Sequence, residues 1–225
     1  MIPSRRGLFS SSIATKLLIG ITGLGLFLYL ILHIAGNLIV FLGPETFNEY
    51  SHMLISNPLV PVIEIGLLLV FLVHVYKTVR MVIANRQARP VAYVAKKYAG
   101  HPSRRSFASS TMILSGLWLL VFVIIHVRTF KYGPEYQSAS GVRDLYRLEM
   151  ENFSNPLTVA FYVLSMVIVG SHLWHGVASA CQSLGADHPS LTPRVLVIGK
   201  LSALTIAGGF IVIALWAYFA GGARA

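Results

Sequence analysis

Four histidines stand inside long apolar runs: His33 in "FLYLILHIAGN", His74 in "PVIEIGLLLVFLVH", His126 in "LLVFVIIHVRTF" and His172 in "GSHLWHG". An ionisable side chain in hydrocarbon is costly and seldom idle. An imidazole there can relay a proton, hydrogen-bond across helices, or offer a neutral nitrogen to a metal. Which chemistry applies depends on where the four runs place their rings.

The runs themselves identify the setting. Hydrophobic residue types make up 55% of the 225 residues and charged types 12%, against about 25% charged in soluble domains. Five stretches, residues 17–42, 58–84, 110–130, 156–181 and 195–220, are long enough to cross a bilayer. Helices are expected, because lipid leaves no partner for open backbone groups. The fold class is therefore an all-α integral membrane protein, a bundle of five transmembrane helices forming one membrane domain over residues 1–225. The basic start "MIPSRRGLFSSS" is like a signal peptide. The apolar run behind it is too long for a removable one and lacks a small-residue cleavage site, so a retained first helix is expected. The single cysteine, Cys181, excludes an internal disulfide.

The net charge of +10 sits in connectors, which argues for topology rather than a nucleic-acid face. Arg5, Arg6 and Lys16 precede or open the first run. The second connector region carries Lys77, Arg80, Arg86, Arg89, Lys96, Lys97, Arg104 and Arg105 with no acid among them. The positive-inside rule predicts a cytoplasmic N-terminus and an external C-terminus.

Depth follows from spacing. "SNPL" occurs at Ser56–Leu59 and again at Ser154–Leu157 and is read as the outer start of a helix, with Pro in the first turn. His74 follows Ser56 by 18 positions, and His172 follows Ser154 by 18. Both should lie about 24 Å below the outer start, by 1.5 Å per residue. His33 and His126 come late in helices that run outward, so they should lie near the outer side. The prediction is two pairs, His33 with His126 and His74 with His172, separated by about 12–18 Å in a core about 30 Å thick.

Two opposed neutral imidazoles are an axial pair for a six-coordinate haem iron, a closed coordination sphere suited to electron transfer. Zinc favours four clustered ligands, which two levels do not supply. A cofactor-free transporter or channel with histidine proton relays is the alternative of another class, though it would more often add buried carboxylates. Plain helix–helix hydrogen bonding is the bland reading of any one of these residues. Gly23, Gly25, Gly36, Ser115, Gly116, Gly170, Ser171 and Gly176 leave room for a flat macrocycle, or equally for close helix packing.

Other residues invite roles beside these. His175 lies one turn from His172, where it could hydrogen-bond a haem propionate, stand behind the axial ligand, or meet a partner at the interface. Lys77, Arg80 and Lys200 on the inner side, and Arg128 and Lys131 on the outer, are cations that could face propionates, or simply snorkel. Glu64 is an acid inside an apolar helix, near its outer start, where it is expected to be a buried carboxylate. It could exchange a proton with a quinone near the outer pair, helped by Tyr50 and His52, or it could cap an outer arginine.

The pieces "LHIAGN", "GPETFNEYSHML", "FLVHVYKTV", "FVIIHVRTF" and "GSHLWHG" together resemble the dihaem cytochrome b558-type membrane anchor subunit of the succinate dehydrogenase/fumarate reductase (succinate:quinone oxidoreductase) family. The resemblance spans most of residues 17–185. It implies two haem b groups, the outer on His33 and His126 and the inner on His74 and His172. It also implies a cytoplasmic flavoprotein subunit, an iron–sulfur subunit, and a membrane quinone, usually menaquinone. The chain has no dinucleotide fingerprint and no cysteine cluster, so FAD and iron–sulfur clusters would sit on partners only. The expected enzyme role is that of an electron-transfer and quinone-reactive subunit in a bacterial cytoplasmic (inner) membrane, surrounded by membrane lipid. A dihaem cytochrome b anchor of another respiratory dehydrogenase or reductase stays open as an alternative, as does pairing of complexes into dimers.

Overall fold

A computed structural model describes residues 11–88 and 107–221. Arg5, Arg6, Arg89, Lys96, Lys97, Arg104 and Arg105, on which the orientation argument leans, lie outside the described residues. Among the described residues the chain forms seven α-helices: α1 (Ser12–Asn37), α2 (Pro44–Ile55), α3 (Val60–Gln87), α4 (Phe107–Phe130), α5 (Leu145–Phe153), α6 (Pro156–Ser183) and α7 (Thr192–Gly221). A 3-10 turn, Leu38–Leu42, closes α1. One isolated bridge between Gln137 and Arg143 is the extent of β pairing among these residues.

Five of the helices are long and apolar enough to cross a membrane: α1 with its closing turn, α3, α4, α6 and α7. Three of them begin a few residues before the apolar runs do, as α1 does at Ser12 and α7 at Thr192, because polar residues at the ends carry on the helical hydrogen bonding. Caps set several starts. Ser11 Oγ accepts from the Ala14 amide at 3.0 Å, and Asn155 Oδ1 accepts from the Leu157 and Thr158 amides ahead of Pro156. The two "SNPL" copies differ here. Asn57 Oδ1 accepts from the Leu59 amide at 2.9 Å, as Asn155 does from Leu157. Yet α3 begins at Val60, after Pro58, whereas α6 begins at Pro156.

The densest seam joins α6 to α7. On α6, Val159, Tyr162, Met166, Val169, Leu173, Val177 and Ala180 are buried at spacings of three and four, and α7 answers with Ala203, Ile206, Ala207, Ile213, Ala214 and Ala217. Small residues bring the backbones together: a Cβ on Gly170 would stand 3.1 Å from Cβ of Ala207. Helix α1 lies against α3 and α6, and α4 against α6. Helix α3 has no fully buried residue, and most of its apolar side chains, Val62, Ile63, Ile65, Leu68, Leu69 and Leu72 among them, are exposed.

The two short helices, which hydropathy does not flag, form a cap over one end of the bundle. Asn48 of α2, 3% exposed, clamps them: its Nδ2 donates to Asp144 Oδ1 at 2.8 Å and its Oδ1 accepts from the Tyr146 amide at 3.0 Å. Asp144 in turn caps α5 through the Arg147 amide. Gly43, with φ of 102°, makes the turn into α2 that a side chain would resist. Glu149 of α5 is buried at this end, and desolvation pushes its carboxyl up to about 8.

Candidate histidine sites between the helices

Near the capped end, the rings of His33 on α1 and His126 on α4 meet edge to face, with centroids 5.8 Å apart. Aromatic side chains enclose them. Tyr29 stacks on His33 at 5.3 Å, Phe210 reaches it at 5.5 Å, and Phe122, Phe130 and Tyr162 surround His126. Asn37 Nδ2 donates to the His33 carbonyl at 2.7 Å, while its 3.4 Å approach to His33 Nδ1 is too long to fix the ring's tautomer. His126 Nδ1 is buried without a hydrogen-bond partner.

Toward the other end, His74 on α3 and His172 on α6 lie within electrostatic reach of each other. Each ring is met by a hydroxyl from a neighbouring helix. Thr22 Oγ1 lies 3.2 Å from His74 Nδ1, and Ser115 Oγ lies 2.9 Å from His172 Nδ1. A hydroxyl has a single proton to donate. Thr22 gives its proton to the Leu18 carbonyl at 2.6 Å, and Ser115 gives its proton to the Met112 carbonyl at 3.0 Å. With the hydroxyl proton on the carbonyl, each oxygen would accept from Nδ1–H, the tautomer that leaves Nε2 a free lone pair.

Glycines adjoin both hydroxyls. A Cβ on Gly23 would stand 3.2 Å from His74 Cε1, and one on Gly116 would stand 3.7 Å from His172 Cε1. Thr22-Gly23 and Ser115-Gly116 are thus the same device on α1 and α4. Thr22 precedes His33 by 11 residues, and Ser115 precedes His126 by 11. That offset sets the two levels about 16 Å apart, by the helical rise. Between the levels Trp118 Nε1 donates to Ser165 Oγ at 3.0 Å, and Ser165 is fully buried.

Paired imidazoles from separate helices, His33 with His126 and His74 with His172, suit the axial positions of a haem iron. Among the described residues no group of three or more His, Cys, Asp or Glu side chains comes together, so the donors fit paired ligation better than a tetrahedral set.

The remaining candidates sit as follows. Glu64 was expected as a buried carboxylate. It is instead half exposed and forms an ion pair with Lys131, a lysine where an arginine had been the alternative. Glu64 stands in the second turn of α3 with its side chain half exposed, and Lys131, just past the end of α4, reaches it there. Tyr29, stacked on His33, is within electrostatic reach of Glu64. Tyr50 packs its hydroxyl against Gly36, and His52 is exposed. His175 is half-buried beside His172, and Lys200 lies over the Trp174 ring at 5.1 Å. His188 bonds Ser190 in the turn before α7; His101 lies outside the described residues.

Sequence reasoning missed Thr22, Asn37, Asn48 and Glu149. For Thr22 a signal was present: the shared 11-residue offset from a helix histidine.

No family model matches the chain, and no solved structure matches it significantly. Among curated proteins it is similar to the succinate dehydrogenase cytochrome b558 subunit of Bacillus subtilis (strain 168), with 26% identity over 204 residues, 90% of this chain and 92% of that protein. The likeness supports kinship at the level of a family.

Proposed function

We propose that the chain is the membrane anchor subunit of a succinate:quinone oxidoreductase, with His33 and His126 as axial ligands of one haem b and His74 and His172 of a second. The observation that carries this reading is the paired imidazoles at two depths, with Thr22 and Ser115 holding Nδ1 of the inner pair. The similarity to a succinate dehydrogenase cytochrome b558 subunit along nearly the whole chain supports it. When bound, a bis-imidazole haem supplies reversible one-electron transfer with no open site for oxygen.

The chain's own residues have definite tasks in this reading. Thr22 and Ser115 orient the rings and keep the proton on Nδ1. Gly23 and Gly116 keep the space beside the rings clear. Tyr29, Phe122, Phe130 and Tyr162 exclude water around His33 and His126. Glu64, paired with Lys131 and close to Tyr29, is the group placed to exchange a proton with quinone at the capped end. His175 stands beside His172 as a propionate or ring partner. With a cytoplasmic N-terminus, the inner pair faces an iron–sulfur subunit, itself joined to a flavoprotein subunit, and the capped end faces outward. Menaquinone is the quinone this reading favours.

The test is purification of the complex in mild detergent. Two b-type centres in the reduced-minus-oxidised spectrum, with a flavoprotein and a small iron–sulfur protein copurifying, are expected. A colourless, stable chain defeats the haem assignment, and a molybdenum-enzyme partner defeats the succinate assignment.

A further inference from the structure

A cleft of about 680 Å³ opens at the capped end, between the last turn of α4, the loop after it, α5 and the start of α6. Its wall is rich in donors. Arg128 is exposed and makes no ion pair or hydrogen bond among the described residues. Asn152 Nδ2 is buried without a partner. Thr129 and Thr158 add hydroxyls. The acid in the wall, Glu151, faces Tyr136, over whose ring Arg147 lies at 4.3 Å. The unmet need is for an anionic, acceptor-rich group beside Arg128.

The surface leading to the cleft says what carries that group. Leu114, Leu117, Val121 and Ile124 are each at least half exposed, and with Arg128 they are spaced three, four, three and four residues apart. They form one straight ridge along α4 that ends at the guanidinium. Leu157, Leu164 and Val167 are exposed on α6, the helix packed beside it. An apolar ridge ending in an unpaired cation matches an amphiphile lying along a membrane span better than a free ion.

We propose that this cleft is a phospholipid site: Arg128 and the Asn152 amide hold the headgroup phosphate, and the acyl chains lie on the α4 ridge. None of the four paired histidines lines the cleft, although Ile125, Arg128 and Thr129 in its wall flank His126 on α4.

The test uses the purified complex, delipidated and titrated with dioleoyl phosphatidylglycerol under native mass spectrometry. One tightly retained lipid is expected, with affinity lowered about tenfold in Arg128→Gln and Asn152→Leu, the scale of a lost charge-assisted hydrogen bond. Arg128→Lys should fall between, which keeps the test decisive if Arg128→Gln fails to fold. Lys200→Gln, on another helix, should bind as the parent does. Unchanged retention in both Arg128→Gln and Asn152→Leu overturns the proposal. Competition by millimolar inorganic phosphate without lipid selectivity would assign a free-ion site and overturn the lipid source. Displacement by a short-chain quinone would overturn it in favour of quinone. Loss of a b-type centre in Arg128→Gln would overturn it in favour of a haem propionate.

Discussion

The Ser115 hydroxyl lies 2.9 Å from Nδ1 of His172 across a helix boundary and 3.0 Å from the Met112 carbonyl of its own helix. One serine thereby holds the rotation of a ring on α6. Removing it should loosen the inner site while leaving the fold intact. Ser115→Ala is expected to weaken haem retention at that level about ten- to a hundredfold. Haem content and the spectrum of the remaining centre, after washing in detergent, read the outcome. Ser115→Thr, which keeps the hydroxyl, should retain more haem than Ser115→Ala.

The ring contact between His33 and His126 makes a pairing prediction. Leucine at either position should delete the same b-type centre, and leucine at His74 or His172 should delete the other. Redox potentiometry of each single variant distinguishes them. Loss of different centres from His33→Leu and His126→Leu would break the pairing.

Asn48 joins α2 to α5 with both halves of its amide. Asn48→Leu orphans the Tyr146 amide and removes a partner of Asp144. A cost of about 2–3 kcal/mol is expected for these buried groups. Faster amide exchange across α5, with α6 and α7 protected as before, is the predicted signature.

Glu149 gives stability a pH slope. Its carboxyl, ordinarily near 4.5, stands at about 8 in the folded chain because burial disfavours the anion. The folded chain holds a proton that the unfolded chain has released, so stability falls as pH rises from about 4.5 to about 8 and levels off above that. The span is on the order of a few kcal/mol. Glu149→Gln should flatten this slope and melt at higher temperature than the parent at pH 8.5, as thermal denaturation in detergent at pH 5, 6.5 and 8.5 would reveal. A slope that persists in the glutamine variant would place its origin elsewhere.

The Glu64–Lys131 pair is exposed, so breaking it should cost no more than about 1 kcal/mol. A proton-exchanging Glu64 should nonetheless matter to turnover. Glu64→Gln is expected to keep its haem and melting temperature while quinone-dependent activity falls, and Lys131→Gln should retain activity better. Equal activity in Glu64→Gln and the parent would remove Glu64 from the quinone chemistry.

The five spans and the outer His33–His126 contact are legible in the sequence. Each of the four histidines interrupts an apolar run, and the paired 18-residue spacings put His74 and His172 at one depth without knowledge of packing. Glu64 reads as buried in the sequence and is half exposed in the fold, because hydropathy averages over a helix and does not say which side meets a lysine from the next connector. Thr22 was passed over because a lone threonine in a greasy helix is ordinary; only its contact with His74 gives it meaning. The cap was invisible for a different reason. Helices α2 and α5 are short and polar, and Glu149 in "LYRLEMENF" reads as a solvated acid until α2, α6 and α7 close around its helix.

The 11 residues from Thr22 to His33, and from Ser115 to His126, have a mechanical consequence. Eleven residues make about three whole turns, so hydroxyl and imidazole point the same way on each helix and are geared together. Sliding or rolling α1 or α4 disturbs both levels at once. Inserting one residue between the two groups would throw them about 100° out of phase. Any drift in the spacing of these helices must therefore come in complete turns, or strand one site while keeping the other.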